Sequence, residues 1–439
     1  MRAALPLLLA ALLAGPFASS AEAAKGSSVP WVEDDYARAL SEARARKLPI
    51  LLEAWAPWCH SCRSMQAFVF PDPRLAAHAG DVVWLSIDTE KAVNASVLEK
   101  YPVSAWPSLF VIDPAKETIL LRWTGSATVE QLVEFVGQGK RTLAGGQAGL
   151  DEPLAIADRL NGAAQYPEAA AAYATAIAAA PKDWSALPRA ADAMIFALQM
   201  SDETLRCAQA ARELLPRIAG TPAAANVALA GLDCTLGIDK ALPARAGLIA
   251  YFEKACREAA QNLDLASDDR SGHYQVLIAA REDAGDERGE RALETEWVQM
   301  LERAAQTAPS PEARAAFDSH RLGAYLEIGE PQRALPMLEA SESDFPADYN
   351  PPARLAAAYR ALKDYDKALA ASDRALARAY GPRRLLILRT RADILVEKGE
   401  SGAAKKVLEQ ALGEARALPE AQRSKRTLAA LEKQLAAIG

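Results

Sequence analysis

Aromatic side chains are scarce in this chain, 6% of 439 residues, and there are only four histidines and five cysteines. Positive charge is not in excess either: 50 Lys and Arg face 57 Asp and Glu, for a net charge of −7. Each shortage removes a class of protein. A nucleic-acid binder carries a net basic domain, which this balance does not provide, so no nucleic-acid partner is expected. Few aromatics and abundant alanine favour helices with small, closely packing faces over an all-β sandwich. After residue 24 no apolar run approaches the roughly 20 residues that cross a bilayer, so no integral membrane segment is expected there. The length and the 51% hydrophobic content still suffice for two or three packed domains, largely helical.

The first residues read as a targeting segment. Met1 and Arg2 give a positive start, Ala3 to Ala14 is apolar apart from Pro6, and Ala21-Glu22-Ala23 is the small-x-small pattern of a cleavage site. This predicts a signal peptide over 1–23 and a periplasmic or secreted protein, with a bacterial periplasm preferred. The alternative is an uncleaved amphipathic anchor. An oxidising compartment forms disulfides freely. Cys59 and Cys62 form one C-x-x-C, whereas Cys207, Cys234 and Cys256 lie far downstream and are odd in number. Those three permit either one structural disulfide with one thiol left over or three buried thiols.

Between about 29 and 140 the pattern alternates between helix and strand. Asp34 or Asp35 can cap a helix with Ala37, Leu40 and Ala43 on its apolar face. Pro49 to Trp55 and Val82 to Asp88 are continuous apolar runs of the kind buried on both faces of a sheet. The C-x-x-C leads into a helical stretch through Met65 and Phe68, and Lys91 to Lys100 is a second helical segment. Ser108 to Asp113 and Thr118 to Trp123 read as strands joined at Pro114-Ala115-Lys116, and Thr128 to Gln138 as a closing helix.

Three spaced features in this region resemble the thioredoxin superfamily. Trp58-Cys59-His60-Ser61-Cys62 resembles its W-C-x-x-C at the start of a helix after a central strand. Glu53 stands where thioredoxins carry a buried Asp, and Trp106-Pro107-Ser108 resembles the cis-proline loop that faces the cysteines. Val69-Phe70-Pro71-Asp72-Pro73 and Asp88-Thr89 look most like the periplasmic thioredoxin-like domain of bacterial transmembrane thiol reductant carriers. The resemblance implies an α/β thioredoxin-like domain. It departs at Trp84, where a lysine near the buried acid is expected, and in the His60-Ser61 dipeptide.

The chemistry follows from the arrangement. A cysteine at a helix N-terminus meets unsatisfied N–H groups and the positive end of the helix dipole, which favour thiolate. Cys59 is therefore the expected nucleophile and Cys62, one turn on, the resolving thiol. Glu53, if buried, would have a raised pKa and could exchange a proton with Cys62. Pro107, if cis, would leave the Trp106 backbone free for an extended client. Trp58 and Trp106 would supply an apolar rim, and His60 and Ser61 would face the client. The bland readings are half of a zinc site, a structural disulfide, a solvated Glu53 and an ordinary loop Pro107. No second C-x-x-C or H-x-x-x-H exists to complete a zinc site, so no metal is expected, and the chemistry calls for no cofactor.

Residues 141–150 have the glycine content of a linker, and from about 151 to 439 the strand signals vanish. Ala169, Ala334, Ala368 and Ala403 mark the same place in successive units, the last three spaced by 34 and 35 residues. Pro181 and Pro346 each follow a marker by 12 residues. This resembles tetratricopeptide repeats, which implies an all-α helical solenoid with a concave groove for peptide segments. Between 200 and 300 the pattern is degraded. Thr204 and Ala241 are plausible markers, Asp286 to Ala305 is read as a helical pair, and about seven hairpins fit the length. His273 and His320 have no ligand-spaced partner, and Arg383-Arg384 and Lys405-Lys406 read as solvated faces.

Two functions follow. One is an exported thiol-disulfide oxidoreductase, more a reductant than an oxidant, with protein clients, an upstream redox partner protein and repeats that hold the client. The other is a non-catalytic envelope scaffold or assembly protein.

Overall fold

The computed structural model describes residues 27–145, 151–181 and 183–438. The expected signal peptide lies outside them, as do residues 146–150 of the expected linker.

Five strands, β1 (Trp31–Glu33), β2 (Ile50–Trp55), β3 (Val83–Asp88), β4 (Ser108–Asp113) and β5 (Thr118–Thr124), form one sheet in the order β1-β3-β2-β4-β5. β1 and β2 run parallel to β3, while β4 is antiparallel to both β2 and β5. The three-residue β1 is too short to show a period, and sequence reading lacks it. Alternation along the central strands feeds two cores. Leu51, Trp84, Leu109 and Val111 face Leu132, Phe135 and Val136 of α4 (Val129–Leu143). Leu52, Leu85, Phe110 and Ile112 face Ala39 and Ala43 of α1 (Tyr36–Arg46), and Val97 and Leu98 of α3 (Ala95–Lys100).

Helix ends follow their capping residues. Asp35, not Asp34, caps α1 by accepting the Arg38 N–H. Thr128 and Gln131 close a capping box on α4. That helix continues to Leu143, so the linker expected from residue 141 begins inside it. The C-x-x-C helix α2 (His60–Ser64) widens into a π-helical turn over Met65–Val69.

From Asp151 the described chain is helical. The hairpins pair α5 (Asp151–Gly162) with α6 (Tyr166–Ala179), α7 (Leu187–Met200) with α8 (Thr204–Leu214), and α9 (Pro222–Leu236) with α10 (Ala244–Gln261). Next come α11 (Ser267–Ala284) with α12 (Glu287–Gln306), then the short α13 (Pro311–Ala315) and α14 (Asp318–Glu327) with α15 (Ala334–Asp344). α16 (Asn350–Ala361) with α17 (Tyr365–Arg378) and α18 (Arg383–Lys398) with α19 (Ser401–Ala417) complete seven hairpins among the described residues, and α20 (Lys425–Ile438) covers the last.

Two sequence expectations shift. Ala169 and Ala368 are fully buried as the fourth residue of a second helix and Ala334 as the first residue of α15, but Ala403 is exposed and the buried small residue there is Ala404. Asp286 to Ala305 is not a pair: Asp286 caps the single long helix α12. Its unbroken run of strong helix formers contains no turn residue after Gly289.

The solenoid does not stand apart from the sheet. Residues on or just before the first helices of five of the seven hairpins touch the N-terminal domain: Asn161 and Arg189 against Arg122 of β5, Asp269 against Ser126, Asp268 against Ser64, Asn350 against Pro57, and Tyr380 against Asp88. First helices of the hairpins, expected to offer a surface to a client peptide, therefore carry polar side chains that pair with the chain's own N-terminal domain.

Candidate redox site

The site begins where β2 ends. Trp55 leads through Ala56 and Pro57 to Cys59, which takes extended backbone angles as the cap of α2. Cys59 and Cys62 are disulfide-bonded, and Cys59 Sγ also accepts the Cys62 N–H at 3.1 Å. This sulfur thus sits among the free N–H groups of a helix N-terminus, where negative charge is favoured. Both cysteines are buried, Cys59 4% and Cys62 0% exposed.

The predicted rim assembles around them. Trp58 and Trp106 meet edge to face with ring centres 5.1 Å apart, and both pack on the cysteines. Their N–H groups are tethered: Trp58 Nε1 donates to Glu90 Oε1 at 2.9 Å and Trp106 Nε1 to Thr89 Oγ1 at 2.8 Å. The Trp106–Pro107 peptide is cis and Pro107 is buried. Ser61 and His60 are half-buried, with Ser61 Oγ 3.2 Å from His60 Nδ1.

Glu53 is 1% exposed. Burial pushes its carboxyl up to about 8, against the Ser86 hydroxyl, which donates to Oε2 at 2.9 Å and lowers it, while the Glu33 charge raises it. Ser86 is the residue in register with Glu53; Trp84, at the lysine position of the resemblance, pairs with Leu51 instead. Glu53 Oε1 has no hydrogen-bond partner among the described residues, and the side chain borders a cavity of about 390 Å³ shared with Arg63 and Gln66. No hydrogen bond joins it to either sulfur.

Several residues around the pair were not legible beforehand. Asn350 Nδ2 donates to the Pro57 carbonyl at 3.0 Å, and Arg63 Nη1 pairs with Asp348 at 2.9 Å. Arg383, expected to be solvated, lies over the Trp58 ring at 5.2 Å, and its N–H donates to Glu90 Oε2 at 2.5 Å. His320 is buried, with its ring 4.0 Å from that of His60. His273 is buried as a core residue, and burial pushes it down to about 4. Of the distal cysteines, Cys207 and Cys234 are bonded, while Cys256 is a buried thiol whose pKa burial drives up.

A cavity of about 730 Å³ opens beside the rim, lined by Trp58, Val103, Trp106, Arg383, Leu386 and Gln422. It lies between the proline loop and the last hairpin.

Sheet, bonded pair and proline loop define a thioredoxin-like domain, and the hairpins define tetratricopeptide repeats. The thioredoxin-like family model matches residues 31–114 and the tetratricopeptide repeat model residues 349–413. Among curated proteins, the chain is 37% identical over 106 residues to thiol:disulfide interchange protein DsbD 2 of Pseudomonas aeruginosa, 24% of this chain and 18% of that one. It is 27% identical over 95 residues to thiol:disulfide interchange protein DsbD of Pseudoalteromonas atlantica, 21% of this chain and 16% of that one. The chain thus spans under one fifth of the length of these relatives. A tetratricopeptide repeat protein from Parabacteroides merdae superposes with a TM-score of 0.44 at 9% identity, over 66% of this chain and 98% of that one. Among the described residues no helix is long and apolar enough to cross a membrane.

Proposed function

We propose that this chain is an exported thiol-disulfide oxidoreductase that reduces disulfides in protein clients. The observation that carries the reading is the placement of Cys59 Sγ at the N-terminus of α2, accepting the Cys62 N–H. In the reduced form the Cys59 thiolate attacks one sulfur of a client disulfide, a mixed disulfide forms, and the other client sulfur leaves as a thiolate. Cys62, deprotonated, then attacks Cys59 Sγ, restoring the Cys59–Cys62 bond and releasing the second client thiolate. Two electrons pass to the client, so a donor protein must return two to the pair. Glu53, held near 8, suits a group that exchanges a proton with Cys62 around neutral pH. Trp58, Trp106, His60 and Ser61 form the client face beside Pro107, and the adjoining cavity admits an extended segment. Two units serve this function, a redox domain over about 29–140 and a repeat domain over about 151–439. Export agrees with the Cys207–Cys234 bond, a kind of cross-link that persists in oxidising compartments.

The test is the reduction potential of the pair, read by thiol trapping across a dithiol buffer. A value near that of thioredoxin, about −270 mV, supports the reductant; one near −120 mV reverses the direction of electron flow. Cys59→Ala abolishes dithiol-dependent reduction of a protein disulfide, and full turnover in that variant sinks the enzyme. The burial of both sulfurs favours a second reading, a scaffold in which the domain only docks. On that reading a variant lacking both cysteines still complements a deletion strain.

A further inference from the structure

The repeat domain places a buried carboxylate against the residue that follows Cys59. Asp268, in the first turn of α11, is 2% exposed. The Ser64 hydroxyl donates to its Oδ1 at 2.6 Å. Its Oδ2 has no hydrogen-bond partner among the described residues and lies 3.5 Å from His60 Nδ1, where a small ring movement closes a bond. The His60 ring is in turn held on one side by His320 of α14, ring centres 4.0 Å apart.

We propose that Asp268 is a positioning residue for the redox pair, holding the His60 ring at the position that follows Cys59 so that the ring favours the Cys59 thiolate and raises the reduction potential. This rests on the oxidoreductase reading above.

The surrounding groups leave Asp268 to His60. Burial pushes His320 down to about 3, so it is a neutral ring that does not compete for the carboxylate. The Trp297 N–H donates to Ser271 Oγ at 2.6 Å, and the same hydroxyl is hydrogen-bonded to His320 Nδ1 at 2.5 Å. Burial alone would raise the Asp268 carboxyl, but the neighbouring His60 and the Ser64 hydroxyl outweigh it and hold the group below its usual range. Asp269 is pushed up to about 7 by burial and by the Asp268 charge, so below that pH it adds no second negative charge. Arg63 is committed to Asp348, and Arg354 of α16 faces Asp318. A histidine ring next to a nucleophilic cysteine stabilises the thiolate when protonated, and a stabilised thiolate makes the disulfide more readily reduced.

The experiment measures the potential of Cys59/Cys62 in the full chain by thiol trapping, together with the pH at which the Cys59 thiolate forms, read at 240 nm. Asp268→Asn and His60→Gln should each move the equilibrium with the dithiol buffer about tenfold toward the bonded form, about 30 mV more negative, and each should raise the pH of thiolate formation. In the His60→Gln background Asp268→Asn should lose this effect or reverse it, since only a bare carboxylate then remains. An Asp268→Asn shift that persists without His60, or no shift in either single variant, overturns the inference while the oxidoreductase stands. Should Asp268→Asn not fold, His60→Gln on the partly exposed ring decides: an unchanged potential there overturns the inference. A wild-type pair that cannot be titrated removes both readings.

Discussion

The Arg383 guanidinium lies 5.2 Å from the centre of the Trp58 ring, so the seventh hairpin covers the residue immediately before the candidate nucleophile. The same hairpin approaches Glu90, which accepts both the Trp58 indole and the Arg383 backbone N–H. Burial raises the Glu90 carboxyl, and these donors work against it. A desolvated cation over an indole contributes about 1–2 kcal/mol, enough to hold a rim residue in place.

Gly381 precedes this contact with a φ of 59° and its Cα turned to the Glu90 backbone, so any Cβ would collide with the Glu90 carbonyl. Gly381→Ala combines left-handed strain with a backbone clash, and the last hairpin must move off the rim. Alkylation of Cys59 in the reduced protein should become several-fold faster, measured by iodoacetamide trapping. An unchanged rate would mean that the hairpin does not limit access.

The buried carboxyl of Glu53 links stability to pH. Its folded pKa of about 8 lies above the ordinary value of 4.5. Between those values the folded state holds a proton that the unfolded state has lost, so stability falls as pH rises, on the order of 1 kcal/mol per pH unit, and levels off above the folded pKa. Glu53→Gln removes this contribution. Urea unfolding from pH 5 to 9 should show the variant gaining on the wild type as pH rises, and parallel curves would contradict it.

Asp158 of α5 and Arg189 of α7 form an ion pair at 2.8 Å that is nearly closed to solvent, with Tyr173 donating to the same carboxylate at 2.6 Å. Arg189 also donates to the Arg122 carbonyl of β5 at 3.1 Å, so the pair ties the first repeats to the sheet edge. Removing one partner strands a buried charge, and Asp158→Ala should cost about 3–5 kcal/mol. Calorimetry of the full chain reads this as a large drop in Tm.

The Cys207–Cys234 bond closes a loop across α8 and α9, with a sequence separation of 27. Replacing both cysteines with alanine should cost about 3 kcal/mol. Cys256, buried and held as a thiol, should resist alkylation until the repeats unfold. Rapid labelling in the native chain would contradict this.

The thioredoxin-like sheet was legible because strand period, helix caps and the C-x-x-C are local signals. Glu53, Pro107 and the two rim tryptophans followed from the resemblance to thioredoxins, whose motifs they match in order along the chain. β1 was hidden by its length, and Ala404 by an alanine neighbour, Ala403, that fits the same pattern. Asp268, His320 and Arg383 were beyond reach for a different reason. Their contacts with the residues flanking the pair depend on the accumulated rotation of many hairpins, and the degraded stretch between 200 and 300 gives no register from which to add those rotations. The available hint was polar residues on first helices, at positions a repeat array lines with its inner surface.

Gln422, at the far end of the array, donates through Nε2 to the Thr89 carbonyl at 2.7 Å and to the Lys91 carbonyl at 3.1 Å. Asn161, near its start, accepts from Arg122 on β5. The solenoid is therefore pinned to one small body at both extremities, and its bend is dictated by what it encloses. The N-terminal domain is synthesised before the repeats, and domains generally fold as units during synthesis. A chain whose N-terminal domain failed to fold would leave the helices stacked but with no set curvature.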